Sequence, residues 1–153
     1  STLLSLIKEL AEYEKLSHAV VATEESLRTS LFGPHPTAEA LIGEVAGQAV
    51  AFALFFHNYS TFLGRKGLYL EDLYVQPACR GRGYGKCMLI RLARIAVERG
   101  CGRFEWSVLD WNTTAIEFYR RLGAVPMNEW TVFRLDGAAL AALSTMERHE
   151  RNG

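Results

Sequence analysis

The fold of this chain is decided by residues 75–86, which read VQPACRGRGYGK. Gly81, Gly83 and Gly85 stand at alternate positions, after an apolar stretch that predicts a strand and before a periodic stretch that predicts a helix. Glycine permits positive φ and lets a ligand approach the backbone closely. Consecutive N–H groups in such a turn, with those of the first helical turn, can bind one anion such as a pyrophosphate. The alternative interpretation is a tight turn with exposed arginines.

The turn differs from two familiar phosphate-binding motifs. Its glycines are spaced GxGxG, so it is neither the GxxxxGK motif followed by Ser or Thr nor the GxGxxG motif. Residues 78–103 contain seven bases and one acid, a net charge of +6, whereas residues 1–46 contain seven acids and three bases, a net charge of −4. The basic half can attract phosphates and the acidic half can attract cations, although solvated helix faces would give the same distribution.

Outward from the turn, the sequence predicts helices and strands in one layered α/β (α+β) domain that spans residues 1–153. Leu3, Leu6, Ile7 and Leu10 have the spacing of one helix face, and Thr23 is a good N-cap for a second helix that ends at Gly33-Pro34. Further helices are predicted at 84–99 and 113–122, and strands at 38–45, 48–58, 67–75, 103–109 and 130–135, with Ala46-Gly47 as a hairpin turn. The polar tail from residue 144 is expected to fray.

A second stretch with chemical potential is residues 110–123, DWNTTAIEFYRRLG. Asn112, Ala115 and Tyr119 fall on one side of the predicted helix, where the amide could bind a ligand and the phenol could act as a weak acid. Taken singly, Asn112 is better explained as a plain N-cap, and Tyr119 as a core aromatic residue.

The two stretches together resemble the GNAT superfamily of N-acetyltransferases. The resemblance lies in R-x-x-G-x-G at Arg80, Gly83 and Gly85, followed at the right separation by W-N-x-x-A-x-x-F-Y with Asn112 and Tyr119. Residues 7–16, 32–36, 68–75, 80–85 and 109–112 look like the spermidine/spermine and thialysine N-acetyltransferase subfamily. The likeness implies a mixed, mainly antiparallel central sheet with helices on both faces. The family begins with a strand before the first helix, and this sequence starts inside that helix, so either the sequence is trimmed or the first strand is absent.

The resemblance implies acetyl-CoA as cosubstrate and assigns two sets of binding residues. Those implied for the cofactor are Leu73, Tyr74, Val75, Arg80, Gly81, Arg82, Gly83, Tyr84, Gly85, Lys86, Asn112, Thr113, Thr114 and Ala115. Those implied for the amine substrate are Tyr13, Glu14, Glu71, Glu105, Trp106 and Ser107.

Two of the residues carry the implied chemistry. An alkylamine with a pKa of about 10.4 is protonated at neutral pH, so a base must take its proton, directly or through water. The resemblance gives this role to Glu71, which is otherwise an edge-strand carboxylate facing solvent. It makes Tyr119 the acid that protonates the CoA thiolate, with direct transfer and no covalent enzyme intermediate.

Several features that the sequence lacks bear on metal binding, on location and on the kind of partner that we expect. Three cysteines without a CxxC pair argue against a disulfide framework or a zinc site, and the histidines have no metal spacing, so no metal is expected. No run of 18 apolar residues and no signal peptide is visible, which favours a cytoplasmic protein without membrane or nucleic-acid partners. The resemblance implies a homodimer.

The acceptor remains open between several classes. The acidic first half favours a small cationic acceptor, such as a diamine, a polyamine or a lysine analogue like thialysine. The alternatives are a GNAT enzyme for an amino acid, an aminoglycoside or a protein amine, and a non-catalytic acetyl-CoA-binding module. The presence of both Glu71 and Tyr119 argues against the last of these.

Overall fold

The computed structural model describes residues 1–147 and divides the chain into two compact units, Ser1–Ser107 and Val108–Gly153. The first unit contains α1 (Thr2–Tyr13), α2 (Glu24–Phe32), β1 (Glu39–Val45), β2 (Gln48–Ser60), β3 (Arg65–Val75), α3 (Tyr84–Glu98) and β4 (Phe104–Trp106). The second contains α4 (Thr113–Arg121) and α5 (Gly137–Ser144). The expected single domain stays a prediction, and most of the tail expected to fray, residues 148–153, lies outside the described part.

Each of the two N-terminal helices is preceded by a hydroxyl residue that caps it. The Ser1 hydroxyl accepts a hydrogen bond from the Leu4 N–H at 3.3 Å. Thr23 and Ser26 form a reciprocal capping box: the Ser26 N–H donates to the Thr23 hydroxyl at 3.1 Å, and the Thr23 N–H donates to the Ser26 hydroxyl at 2.9 Å. Each bond satisfies a first-turn N–H that has no partner within its helix. The predicted N-cap at Thr23 is confirmed.

The central sheet has the strand order β1-β2-β3-β4. The first three strands are antiparallel, and β4 pairs with β3 in parallel. Ala46 and Gly47 both have positive φ, 51° and 77°, which matches the two-residue turn of a tight hairpin. The predicted hairpin and the mainly antiparallel mixed sheet are confirmed.

Helices cover both faces of the sheet. Neighbouring residues of β2 point to opposite faces, so apolar side chains of this strand pack against a helix on each side. Phe52 is completely buried and packs with Leu6 of α1. Ala51, beside it, faces α3: a Cβ atom added to Gly43 would lie 3.0 Å from the Ala51 Cβ and 3.7 Å from the Met88 sulfur. The core therefore has two layers, one between the sheet and α1 and one between the sheet and α3.

The sequence-based expectations fail near the C-terminus. The strand expected at 103–109 is only Phe104–Trp106, residues 130–135 form no strand, and the helix α5 was not predicted. A strand needs hydrogen bonds to a neighbouring strand, and an alternating apolar pattern does not supply that neighbour. The Ala- and Leu-rich sequence of α5 instead has high intrinsic helix propensity.

Candidate active site

The glycine-rich turn leads from the end of β3 into α3. After a 3-10 turn at Pro77–Cys79, Gly81 and Gly83 adopt φ of 78° and 82°, a region that other residues rarely enter. A Cβ atom at either position would meet nothing within 4 Å, so the space above the turn is open. Gly83 is the N-cap of α3 and has no side chain to satisfy the first-turn N–H groups. These donors are positioned for an anion.

The surroundings of the turn favour a negatively charged ligand. Arg82 and Lys86 are exposed beside it, and the first turn of α3 contains no acidic residue. A Cβ atom on Gly85 would lie 3.9 Å from the nearest atom, a methyl group of Val75, so packing alone does not require glycine there. The turn therefore has the charge and the open backbone that a pyrophosphate requires.

Strand β3 has an open edge next to this turn. It pairs with β4 only through Leu68, Leu70 and the residue between them, whereas its pairing with β2 continues as far as Val75. Within the described chain, residues 71–75 thus have a β-sheet partner on one side only. The backbone groups implied for the acetyl-pantetheine arm, those of Leu73, Tyr74 and Val75, belong to this open stretch.

A β-bulge changes the register at the proposed base. Leu54 pairs with Asp72 and Phe55 pairs with Leu70, so Glu71 is the extra residue of β3. Its side chain is exposed, whereas its neighbour Asp72 is largely covered. Bulges reorient side chains, and this one places two adjacent carboxylates in different environments at the start of the open edge.

Asp72 is a titratable group that the sequence analysis did not assign to the site. Burial, and to a smaller extent the nearby charges of Glu71 and Glu14, raise the pKa of Asp72 to about 6. Burial also raises the pKa of Glu14, which caps the C-terminus of α1. The structure therefore brings three carboxylates together. The only indication of this group in the sequence is the pair of adjacent acids in the otherwise apolar stretch LYLEDLYV.

Arg80, the first residue of the glycine motif, contacts the protein itself. Its guanidinium carbon lies 4.5 Å from the ring centroid of Tyr13 and 5.6 Å from that of Tyr74. Its Nε donates a hydrogen bond of 2.9 Å to the Val75 carbonyl. Arg80 thus links the end of β3 to the end of α1.

A second link between α1 and β3 was missed because it joins distant parts of the sequence. The Tyr74 hydroxyl donates to Glu9 at 3.1 Å, and the Gln76 amide donates to both Glu9 oxygens at 3.3 Å. Burial, and then the hydrogen bond to Glu9, raise the pKa of Tyr74. Residues 74–76 are therefore held to α1 immediately before the glycine-rich turn.

The substrate residues expected on β4 and just after it are engaged in local contacts. The Glu105 carboxylate accepts a hydrogen bond of 3.2 Å from the Asn58 amide and forms an ion pair with Arg103, whose Nε lies 2.8 Å away. The hydroxyls of Ser107 and Tyr69 are 2.8 Å apart. The ring of Trp106 packs 4.9 Å from that of Phe104. Their assignment to the substrate stays a prediction.

In the second unit, α4 contains the remaining residues that the sequence predicts for the site. The Asn112 side chain caps the helix by accepting a bond of 3.3 Å from the Ala115 N–H, and Thr113 and Thr114 form the exposed first turn. Tyr119 lies on the same helix, with its ring centroid 5.7 Å from that of Phe118. Asn112 is an N-cap, and any contact that it makes with a ligand stays a prediction.

In residues 1–147 no helix has the length and apolarity to cross a membrane. Within the same range, no three His, Cys, Asp or Glu side chains are grouped so that they could hold a metal ion.

Comparison with known proteins agrees with this geometry. The profile of the Acetyltransferase (GNAT) family matches residues 4–124. The thialysine N-epsilon-acetyltransferase of Sus scrofa is 40% identical, over 93% of this chain and 89% of its own. An L-ornithine N5-acetyltransferase of Arabidopsis thaliana is 33% identical, over 92% of this chain and 82% of its own.

Solved structures share the fold. An integron cassette protein of Vibrio cholerae superposes with a TM-score of 0.79 at 26% identity, over 95% of this chain and 91% of its own. Together with the glycine-rich turn, the open edge of β3 and the capped α4, these matches show that the chain belongs to the GNAT family of acetyltransferases.

Proposed function

We propose that this chain transfers an acetyl group from acetyl-CoA to a primary amine of a small cationic acceptor, such as a diamine, a polyamine or a lysine analogue like thialysine. The observation that carries the choice of acceptor is the group of three carboxylates, Glu14, Glu71 and Asp72, beside the open edge of β3. Repulsion among the three charges and the partial burial of Glu14 and Asp72 disfavour the ionised carboxylates, and an ammonium group would relieve both.

The cofactor contacts divide between the two motifs. The backbone N–H groups from Gly81 to Lys86, with the charges of Arg82 and Lys86, bind the pyrophosphate. The open backbone of residues 73–75 bonds to the pantetheine arm, and a backbone N–H there polarises the thioester carbonyl. Arg80, Tyr84 and the first turn of α4, Asn112 to Ala115, complete the set of cofactor residues that the family resemblance implies.

Proton transfers accompany the reaction at both reacting groups. Glu71 takes the first proton from the acceptor ammonium, directly or through water, and leaves a neutral nitrogen. The nitrogen then forms the new C–N bond with the acetyl carbon of acetyl-CoA as the C–S bond of the thioester breaks. Tyr119 protonates the departing thiolate, and the second proton that the nitrogen loses on becoming an amide restores the phenol.

The second positive charge of a diamine is held by the remaining acids. Glu14 and Asp72 provide partly buried carboxylates whose charges an ammonium group would compensate. Tyr13, Glu105, Trp106 and Ser107 line the acceptor side in this proposal. The names of the relatives agree with an acceptor that has two amines, because thialysine and ornithine both carry a second amine. We further infer a cytoplasmic homodimer without membrane, nucleic-acid or metal partners.

The test is thiol release from acetyl-CoA with a panel of amines. The panel pairs each diamine or amino acid with a monoamine of equal length, and adds an aminoglycoside and a lysine-containing peptide. We expect kcat/KM to be highest for the small acceptors with two amines. Equal rates for the paired monoamines, or a preference for the peptide, would contradict the proposed acceptor. Tight acetyl-CoA binding without thiol release from any amine would support a non-catalytic module instead.

A further inference from the structure

The bulge in β3 places two residues that are three positions apart on the same face of the sheet. Asp72 pairs with Leu54 of β2, and Tyr69 pairs with Phe56. Leu54 and Phe56 are two positions apart in β2, so their side chains point to one face, and residues that pair directly share a face. In a regular strand, residues 69 and 72 would point to opposite faces. The extra residue, Glu71, therefore makes Tyr69 the neighbour of Asp72.

This face is the one on which α1 packs. Leu54 packs against the buried cluster that joins α1 to the sheet. The ring centroids of Phe56 and Tyr69 are 5.3 Å apart, so these two side chains lie together on the same face. Glu14, which caps the C-terminus of α1, is near enough to Asp72 to raise the pKa of that carboxyl. Tyr69 therefore lies on the side of the sheet that carries the carboxylates proposed for the acceptor.

Contacts on both sides hold the Tyr69 side chain in position. Its hydroxyl lies 2.8 Å from that of Ser107 and shares a hydrogen bond with it. Tyr69 pairs with Glu105 in the parallel ladder of β3 and β4, and Ser107, two positions later, points to the same face. The Phe56 ring packs against the Tyr69 ring from the β2 side. A ring fixed in this way loses little conformational entropy when a ligand binds against it.

The spacing suits an ammonium group between the carboxylate and the ring. Neighbouring positions on one face of a strand are roughly 7 Å apart. An ammonium nitrogen lies about 2.8 Å from a carboxylate oxygen to which it donates, and an aromatic ring attracts a cation within about 6 Å of its centroid. A cation bound to the Asp72 carboxylate is thus within reach of the Tyr69 ring. Asp72 is partly buried, and both attractions are stronger where water is excluded.

We propose that Tyr69 is a specificity-determining residue of the acceptor site, because its ring forms the wall against which Asp72 holds the distal ammonium group of a two-amine acceptor. The inference rests on the proposed function and adds to it a residue that the family resemblance does not assign. A carboxylate alone gains most from a cation that donates hydrogen bonds, whereas a ring is attracted to the charge itself and also binds a quaternary ammonium group. The site should therefore accept a distal amine that is fully methylated.

The test compares two acceptors that have the same reacting amine and the same chain. One ends in a trimethylammonium group and the other in a tert-butyl group, which has the same shape and no charge. The wild-type KM should be lower for the trimethylammonium acceptor. Tyr69→Leu should raise that KM by roughly 3–10-fold, the scale of a cation–π contact, with smaller changes in kcat and in the KM for the tert-butyl acceptor.

Two further variants serve as controls. Tyr69→Phe keeps the ring and loses only the bond to Ser107, so it should retain most of the preference for the charged acceptor. Tyr59→Leu removes an exposed ring from β2 and should change neither KM. The circular dichroism spectrum and the KM for acetyl-CoA should match the wild type in all three variants, which separates a loss of acceptor binding from a loss of fold.

The outcomes distinguish the role of Tyr69 from the proposed function. A folded Tyr69→Leu variant with an unchanged preference would overturn the role of Tyr69 alone. Equal losses for both acceptors would reduce Tyr69 to a packing residue, and a preference lost in Tyr69→Phe would belong to the hydroxyl, so either result contradicts the inference. A wild-type chain that acetylates no two-amine acceptor would overturn the proposed function, and the inference with it.

Nuclear magnetic resonance of the wild-type protein tests the same contact without any substitution. Coenzyme A in place of acetyl-CoA prevents the reaction, so a complex saturated with the trimethylammonium acceptor can be observed. Its methyl protons should shift upfield and show nuclear Overhauser contacts to the ring protons of Tyr69. Absence of these contacts in the saturated complex would overturn the inference even if no variant folded.

Discussion

The guanidinium carbon of Arg80 lies 4.5 Å from the centroid of the Tyr13 ring, and its Nε donates to the Val75 carbonyl at 2.9 Å. A side chain that the sequence motif associates with the pyrophosphate thus connects α1 to the end of β3. The planar guanidinium can stack and donate at the same time, which an ammonium group cannot do. Arg80 is positioned to hold residues 73–75 in place for the acyl donor.

Arg80→Lys should therefore slow the reaction even with an acyl donor that contains no phosphate. Lys keeps the charge but loses the stacking and the directed bond to Val75, so kcat/KM should fall several-fold for acetyl-CoA and for S-acetylpantetheine alike. Arg91→Lys, at an exposed position of α3 outside the proposed site, is the matched control. A loss confined to acetyl-CoA would show that Arg80 acts on the phosphates. Initial rates with the two donors decide between these roles.

Asp72→Asn should stabilise the protein at neutral pH. Its folded-state pKa of about 6 lies above the ordinary value of 3.8, so the folded protein binds the proton more tightly than the unfolded chain does. Stability from this group is therefore greatest below pH 3.8 and decreases as the pH rises through 6. The full penalty above pH 6 is about 3 kcal/mol, from about two pKa units at 1.36 kcal/mol each.

Thermal unfolding of the wild-type chain and the Asp72→Asn variant at pH 4.5 and pH 7.5 measures this penalty. We expect a higher Tm for the variant at pH 7.5 and a much smaller difference at pH 4.5. The exposed Asp136→Asn is the control and should change little at either pH. Activity on a diamine should fall in the Asp72 variant despite its stability, as is common for site residues. A destabilised variant at pH 7.5 would contradict the assigned burial.

Gly83→Ala tests the anion site with a built-in control for strain. Gly83 and Gly47 have φ of 82° and 77°, and a Cβ atom would meet nothing within 4 Å at either position. Each substitution should cost about 1–2 kcal/mol in backbone strain. Only the methyl group at Gly83 would obstruct a pyrophosphate, so calorimetry should show weakened acetyl-CoA binding for Gly83→Ala and unchanged binding for Gly47→Ala. Equal affinities would refute the site.

The features that the sequence predicts correctly are those with local causes. The Ala46-Gly47 turn, the capping box at Thr23 and the glycine-rich entry to α3 each depend on residues within a few positions of one another. Backbone conformation and first-turn hydrogen bonds determine them, and both are determined by the residue types themselves. The two motifs that identify the family belong to this class.

The features that were missed depend on long-range pairing. The bulge at Glu71 exists because β2 and β3 change register there, and the alternation within β3 does not reveal it. Tyr74 and Glu9 bond across 65 residues of sequence. The burial of Asp72 follows from the packing of its surroundings, and residues 130–135 have the pattern of a strand without an adjacent strand in the described chain. Tertiary contacts override local propensity in all four cases.

Tyr119→Phe should slow the reaction without weakening cofactor binding. The substitution removes one hydroxyl and keeps the ring, which packs beside Phe118 at 5.7 Å between centroids. If Tyr119 is the acid that protonates the thiolate, kcat should fall by roughly 100-fold or more, the usual scale for losing a general acid. Stopped-flow turnover and calorimetry with acetyl-CoA measure the two quantities. Tyr59→Phe, on an exposed part of β2, is the control. Near-normal turnover would leave Tyr119 a packing residue.

Glu14→Gln should discriminate between acceptors with one and two amines. Glu14 lies close enough to Asp72 to raise the pKa of that carboxyl, and its own pKa is raised by burial, so the protein itself compensates its charge poorly. A distal ammonium group supplies that compensation, and a monoamine of equal length does not. An exposed ion pair is worth only about 0.2–1 kcal/mol, whereas a partly buried and hydrogen-bonded one contributes more.

The loss should therefore appear as a several-fold increase in KM for the diamine with a smaller change in kcat, because a contact away from the reacting nitrogen mainly provides uniform binding. The KM for the monoamine should barely change. Glu12→Gln, an exposed carboxylate two residues earlier, is the matched control and should affect neither acceptor. Steady-state kinetics on the acceptor pair decides the matter. Equal losses on both acceptors, or none on either, would mean that the acids at the end of α1 only face solvent.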